Sequence, residues 1–193
     1  MKIINLFPLS IIQEKILLDK NIKNEMTKEI ETMVSKSQNK NNRIKDVSWT
    51  GDTQGFEYIN KNEKFKELFI NIKKVVIKYL DHLKIDENVI DLYITRSWAT
   101  MSDGKEQISP HNHLQSHISF AYYLKKSATD SNIVFIDNHF QNEIVPGIFR
   151  NPTIKDNGVI KGFSLFNAPS VDLNTQEDDI VIFPSKTFHR TQA

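Results

Sequence analysis

The stretch SPHNHLQSHISFAYYL, residues 109–124, places three of the chain's six histidines within seven positions and then alternates as a strand does. Successive side chains of an extended chain face opposite sides, so residues two apart share a face. His111 and His113 therefore present two imidazoles side by side, a natural two-point grip for a divalent metal. His117 has the same parity, but the intervening LQS reads as a turn and leaves its direction open. By spacing alone, an H-x-H pair is more often an ordinary surface or core feature than a metal grip.

Outward from this stretch the same texture recurs. VIDLYITRSWATM (89–101) lies upstream; NIVFID (132–137), GVIKGFSLF (158–166) and DIVIFPS (179–185) lie downstream, with turn residues between them. Short β-branched and aromatic runs at fairly even spacing predict an all-β barrel or sandwich. Towards the N-terminus the period changes. Over residues 19–37, Ile22, Met26, Ile30, Met33 and Val34 fall on one stripe of an amphipathic helix. A second helix fits residues 63–83, where Phe65, Leu68, Phe69, Ile72, Val75, Val76, Tyr79, Leu80 and Leu83 line one broad face. KIINLFPLSII (2–12) reads as a strand-like entry broken at Pro8. KSQNKNNRIKD (36–46) reads as a polar loop and SWTGDTQGFEYIN (48–60) as a structured one. The expected fold is mainly β (α+β), one domain over residues 1–193. A helical part, 1–84, packs on a β core, 85–193.

Composition narrows the chemistry. The 193 residues include no cysteine, which excludes disulfides, thiolate zinc sites and iron–sulfur clusters and leaves His, Asp and Glu as metal ligands. A cysteine-free chain suits a reducing cytoplasm, the expected location. Apolar residues make up 39% and charged residues 25%, as in soluble globular chains, and the formal net charge of +1 gives no reason to expect nucleic acid as a partner. No apolar run is long enough to span a bilayer. Pro8 and Gln13 interrupt the first residues, which lack a small-residue cleavage site, so no signal peptide is expected.

His189, in FPSKTFHR (183–190), follows the strand-like run 179–185. A barrel would bring the end of that strand beside His111 and His113, and two near ligands plus a distant one is the layout of a facial triad with open positions. His82 suits a helix C-terminus. His139, in DNHF, belongs to a turn. Asp137 is either a strand-end turn residue or a carboxylate ligand.

Taken together, RSWATMSDGKEQISPHNHLQSHISFAYYL, NIVFIDN and DDIVIFPSKTFHR resemble the iron(II)/2-oxoglutarate-dependent oxygenases, in particular a subfamily from marine bacteria and cyanophages. The residues that carry the resemblance are Trp98, Gly104, His111, His113, Ser119, Tyr122, Tyr123, Leu124, Phe183, Pro184, Ser185 and His189. NLFPLSI near the start and SWTGDTQGFEYI before the second helix sit where that family has like segments. The resemblance implies a double-stranded β-helix, a jelly-roll barrel with flanking N-terminal helices and a metal in one mouth. It implies Fe(II) and 2-oxoglutarate as cofactors, with His111 and His189 as the two histidine ligands. His113 stands where the wider superfamily has a carboxylate. Three-His iron sites exist among cupin dioxygenases, and Asp137 is the alternative source of a carboxylate.

The resemblance also implies a basic residue on a strand following the distal histidine, to pair with the far carboxylate of 2-oxoglutarate. The sequence ends four residues past His189, so the barrel is expected to lack its last strand. Arg190, next to a ligand, would point away from it. Tyr123 or Tyr122 would offer a hydroxyl instead, and alternation lets only one of the pair face inward. Ser119 and Trp98 are further pocket residues, Trp98 serving as a wall or as core. The implied activity is hydroxylation of an unidentified substrate, a small metabolite or a protein side chain, with O2. The alternative is a non-catalytic or 2-oxoglutarate-independent jelly-roll protein with a three-His metal site.

Overall fold

The computed structural model describes residues 1–37, 46–103, 105–151 and 158–191. Gly104 and most of the polar loop at 36–46 lie outside the described residues. The element order is β1 (Ile12–Lys15), α1 (Lys20–Lys36), β2 (Trp49–Thr50), α2 (Lys66–His82), β3 (Thr100–Met101), β4 (Ile108–His111), β5 (Ile118–Tyr122), β6 (Ile133–Ile136), β7 (Ser170–Leu173), β8 (Asp179–Pro184) and β9 (His189–Thr191). Three antiparallel sheets result, ordered β1-β8-β5, β2-β3 and β4-β9-β6-β7.

β8 organises the molecule. Its Ile180, Val181, Ile182 and Phe183 are each at most 1% exposed, so both faces of the strand are covered. Ile180 and Ile182 pack among Met26 and Met33 of α1 and Leu68, Ile72, Val75 and Tyr79 of α2. Val181 and Phe183 turn the other way and meet Ile133 and Phe135 of β6, with the Phe135 and Phe183 rings edge to face at 5.0 Å. Two apolar layers thus share one strand. At roughly 1.5–3 kcal/mol for each fully buried side chain, these four residues contribute an amount comparable with the whole net stability of a domain. The fold is β-rich, with helices on one side of the three-stranded sheet.

Both helices end where local chemistry dictates. Asp19 caps α1, its side chain accepting from the Asn21 N–H at 2.7 Å. Ser37 closes the helix, its hydroxyl donating to the Met33 carbonyl (3.1 Å) and accepting from Trp49 Nε1 (2.9 Å). The second helix begins as a 3₁₀ turn at Glu63–Phe65, with Asn62 accepting from the Lys64 N–H, and becomes α-helical at Lys66.

Three expectations need correction. Residues 89–101 do not form one strand: only Thr100–Met101 pairs, with Trp49–Thr50, and Ser97 bridges Tyr58. Val89 and Tyr93 are about four-fifths exposed, because strand propensity needs a neighbouring strand to pack on and this stretch has almost none. Residues 158–166 form no strand either. They lead into a turn in which the Asn167 and Ala168 N–H groups donate to the Ser164 carbonyl, and the strand that pairs with β6 comes later, at Ser170–Leu173. The N-terminal strand is Ile12–Lys15, after the apolar run, because pairing with β8 selects it. His189 lies past the end of β8, as its place in the sequence implied, and opens a separate strand, β9, in the other sheet.

Candidate metal centre

β4 and β9 pair so that His111 lies directly opposite His189. The register between Ile108 and His111 contains a bulge, and Pro110 sits inside it. Proline has no N–H for a ladder, so an edge strand with a bulge accommodates it, and the extra residue re-aims the side chain that follows. His113 lies two residues beyond His111 on the same side. The rings converge, with centroids 4.8 Å (His111–His113), 4.3 Å (His111–His189) and 5.2 Å (His113–His189) apart. One ligand nitrogen from each lies within 4.8 Å of the others. Among the described residues, this group consists of the three imidazoles alone.

Two of the rings are oriented by backbone carbonyls. His111 Nδ1 is 2.9 Å from the Ser109 carbonyl and His189 Nδ1 is 2.9 Å from that of Thr187, each two residues back along the chain. A carbonyl only accepts, so each Nδ1 carries the proton and each Nε2 keeps its lone pair for a metal. Burial pushes the His189 pKa down to about 4; the Thr187 carbonyl opposes this, and the neighbouring histidines reinforce it. Burial, then the charge of His111, also lowers that of His113. Around pH 7 these two rings are neutral, the form that binds a metal. Three imidazole nitrogens with free lone pairs fit a divalent first-row ion.

The surroundings are aromatic. Phe183 stands edge-on to His189 at 4.8 Å and Phe135 lies at 6.3 Å. Trp98 meets His113 edge to face at 5.5 Å, and the Arg96 guanidinium sits 5.6 Å over the Trp98 ring, 3.7 Å from the Asp52 carboxylate. Ser119 is buried opposite Phe183 in the β5–β8 register and hydrogen-bonds the Ser185 hydroxyl at 2.8 Å.

The two tyrosines part company, as alternation demands. Tyr122 faces the helices: its hydroxyl donates to the Ile16 carbonyl (3.2 Å) and Asp178 Oδ1 (3.0 Å), away from the histidines. Tyr123 joins the layer between the sheets, beside Val181, Phe183, Ile133 and Phe135. Burial pushes its pKa up, so the hydroxyl keeps its proton. Asp137 is exposed and spends Oδ1 on the N–H groups of His139 and Phe140, an Asx turn outside the histidine group. Arg190 pairs with Val134, on the opposite face of β9 from His189. His82 contacts Ser10, and His117 is exposed beyond the turn. The two orienting carbonyls escaped sequence reasoning because a backbone group leaves no residue signature. Arg96 and Asp52 escaped because their contact joins a 3₁₀ turn at Gly51–Gln54 to a distant loop.

A family model described as "Putative 2OG-Fe(II) oxygenase" matches residues 96–193, half of the chain, and its span contains Trp98 and all three converging histidines. No curated protein matches the chain. The chain belongs to the 2OG-Fe(II) oxygenase family, whose cofactors are Fe(II) and 2-oxoglutarate.

Proposed function

We propose that the protein is a 2-oxoglutarate-dependent hydroxylase with Fe(II) held by His111, His113 and His189. The observation that carries this is the convergence of three imidazoles, two with Nδ1 tied to carbonyls, inside the family-matched region. When bound, Fe(II) with 2-oxoglutarate and O2 supplies oxidative decarboxylation: succinate and CO2 form, and one oxygen atom enters a substrate C–H bond to give an alcohol. The chain's part is to fix the ligand set on one side, leave the other side open and keep water away. Phe183, Phe135 and Trp98 supply the apolar wall.

On the same reading the whole chain is one domain, and its two larger sheets, joined through Phe135 and Phe183, are the halves of a double-stranded β-helix. Ser119 and Tyr123 lie on the inner face of β5 and its continuation and offer hydroxyls to the co-substrate. Ser119 pairs with Phe183, whereas Tyr123 exchanges backbone hydrogen bonds with Asp178 and Asp179, about 13 Å further along the strand. Ser119 is thus the hydroxyl nearer the metal. Three neutral imidazoles leave both charges of Fe(II) in place, which favours a dianionic ligand such as 2-oxoglutarate.

The test is anaerobic titration with Fe(II) and then 2-oxoglutarate, following the visible charge-transfer band. A band that needs both supports the proposal. Iron binding without a band points to a three-His metal site that does not take this co-substrate. His111→Ala should abolish metal binding while the fold stands. Full metal stoichiometry in that variant would overturn the ligand assignment.

A further inference from the structure

His111 and His189 are each tethered twice, through paired backbones and through Nδ1. His113 lies past the end of β4 and has no ladder partner. Its backbone N–H is anchored by one residue of the β8–β9 turn. The Ser185 carbonyl accepts the His113 N–H at 2.9 Å, and the Ser185 N–H donates to the His117 carbonyl at 3.0 Å. The Ser185 hydroxyl lies 2.9 Å from that of Ser116, between these two points, and 2.8 Å from that of Ser119. Ser116 in turn gives its N–H (3.3 Å) and its hydroxyl (3.4 Å) to the His113 carbonyl. Ser185 therefore grips the beginning, middle and end of the turn that carries His113, and it is 0% exposed.

We infer that Ser185, acting with Ser116, is a positioning residue for the metal ligand His113. The distances permit a directed chain, Ser185 to Ser116 to the His113 carbonyl, with Ser119 donating to Ser185 when its proton is not given to the co-substrate. Removing the central hydroxyl takes away the partner that Ser116 and Ser119 share and loosens the middle of the turn after His113, which residue 185 then holds by its two backbone bonds alone. His113 can then rotate away from the geometry its two partner ligands require. The inference rests on His113 being a ligand, so its test carries a separate arm for that point.

The probe is Co(II), titrated into the apoprotein and read by its visible bands, which report both affinity and coordination geometry. Ser185→Ala and Ser116→Ala should bind Co(II) about tenfold more weakly, the lower end of the roughly 10–100-fold that loss of an outer partner costs. The bands should also change shape. Ser116→Thr, which keeps the hydroxyl at a partly exposed position, should restore wild-type behaviour. Tyr79→Phe, which removes a buried hydroxyl bonded to the Ser10 carbonyl at 2.9 Å, serves as a control of lowered stability and should leave Co(II) binding unchanged. If the serine variants lose stability but keep wild-type affinity and spectrum, Ser185 is merely structural and the inference falls. Wild-type affinity in His113→Ala would instead overturn the ligand assignment. Should Ser185→Ala fail to fold, Ser116→Ala decides.

Discussion

Replacing Tyr122 by Phe separates structural support from co-substrate binding in a motif where the two tyrosines are adjacent. The change removes one hydroxyl and leaves the ring. That hydroxyl shares a single proton between the Ile16 carbonyl and the Asp178 carboxylate, at 3.2 and 3.0 Å. Asp178 keeps Lys23 at 2.7 Å, so its charge is not stranded. A hydrogen bond to a charged acceptor contributes about 1.5–3 kcal/mol. The expected loss is about 2 kcal/mol, which for a chain of this size lowers Tm by roughly 4–8 °C. Denaturant melts of the apoprotein measure it. The pH dependence gives a second check. Burial first, and then Asp178, raise the Tyr122 pKa above its ordinary value. A raised folded-state pKa means that this contribution is complete below the unfolded tyrosine value near 10 and declines as pH rises beyond it. The gap between wild type and variant should therefore narrow above about pH 10. Meanwhile the 2-oxoglutarate affinity of the Fe(II)-loaded variant should match wild type. Wild-type stability combined with weakened 2-oxoglutarate binding would refute the reasoning and put Tyr122 in the site.

Two further outcomes follow from the two ends of β8. Phe183→Ala empties the contact between Phe135 and His189 and should cost about 3–5 kcal/mol in a denaturant melt, with weaker Co(II) binding because His189 loses its wall. Asp179 is buried, which alone would raise its pKa, but hydrogen bonds from the Gln176 N–H, Lys15 and Gln13 outweigh burial and hold it below the usual range. A depressed carboxylate stabilises the fold above its unfolded pKa, and that stability disappears as pH falls through the folded value. Asp179→Asn should thus be less stable than wild type at pH 7, with a difference that shrinks on acidification in melts between pH 7 and 3. An unchanged difference would show that the charge contributes nothing.

What the sequence revealed, and what it concealed, divides along local and long-range physics. The helix at 19–37 was legible almost to the residue, because the stripe from Ile22 to Val34 is a local signal. The run at 179–185 was legible as a strand, since the unbroken apolar residues from Ile180 to Phe183 fit burial on both faces. The runs at 89–101 and 158–166 carried the same strand-like composition without becoming strands. Whether Ile94 or Leu165 pairs depends on a distant neighbour, and among the described residues no strand pairs with either. Parity placed His111 and His113 side by side, but the strand that delivers His189 was hidden: HRT is too short and polar to announce a strand, and its pairing with β4 and β6 makes it one. Alternation allowed one of Tyr122 and Tyr123 inside but could not choose; the register with Ile180 made the choice.

The bulge at Pro110 also bears on self-association. β4 is an outer strand of its sheet, and the outer side of such a strand invites pairing with another chain. Pro110 deletes one donor from that strand, and the extra residue breaks the even repeat a second chain would have to match. The irregularity that turns His111 towards its partners therefore also makes the strand a poor template. Straightening it, by removing the proline and the extra residue together, would misdirect the histidine and expose a regular edge at once, so solubility and metal binding should fail in the same variant.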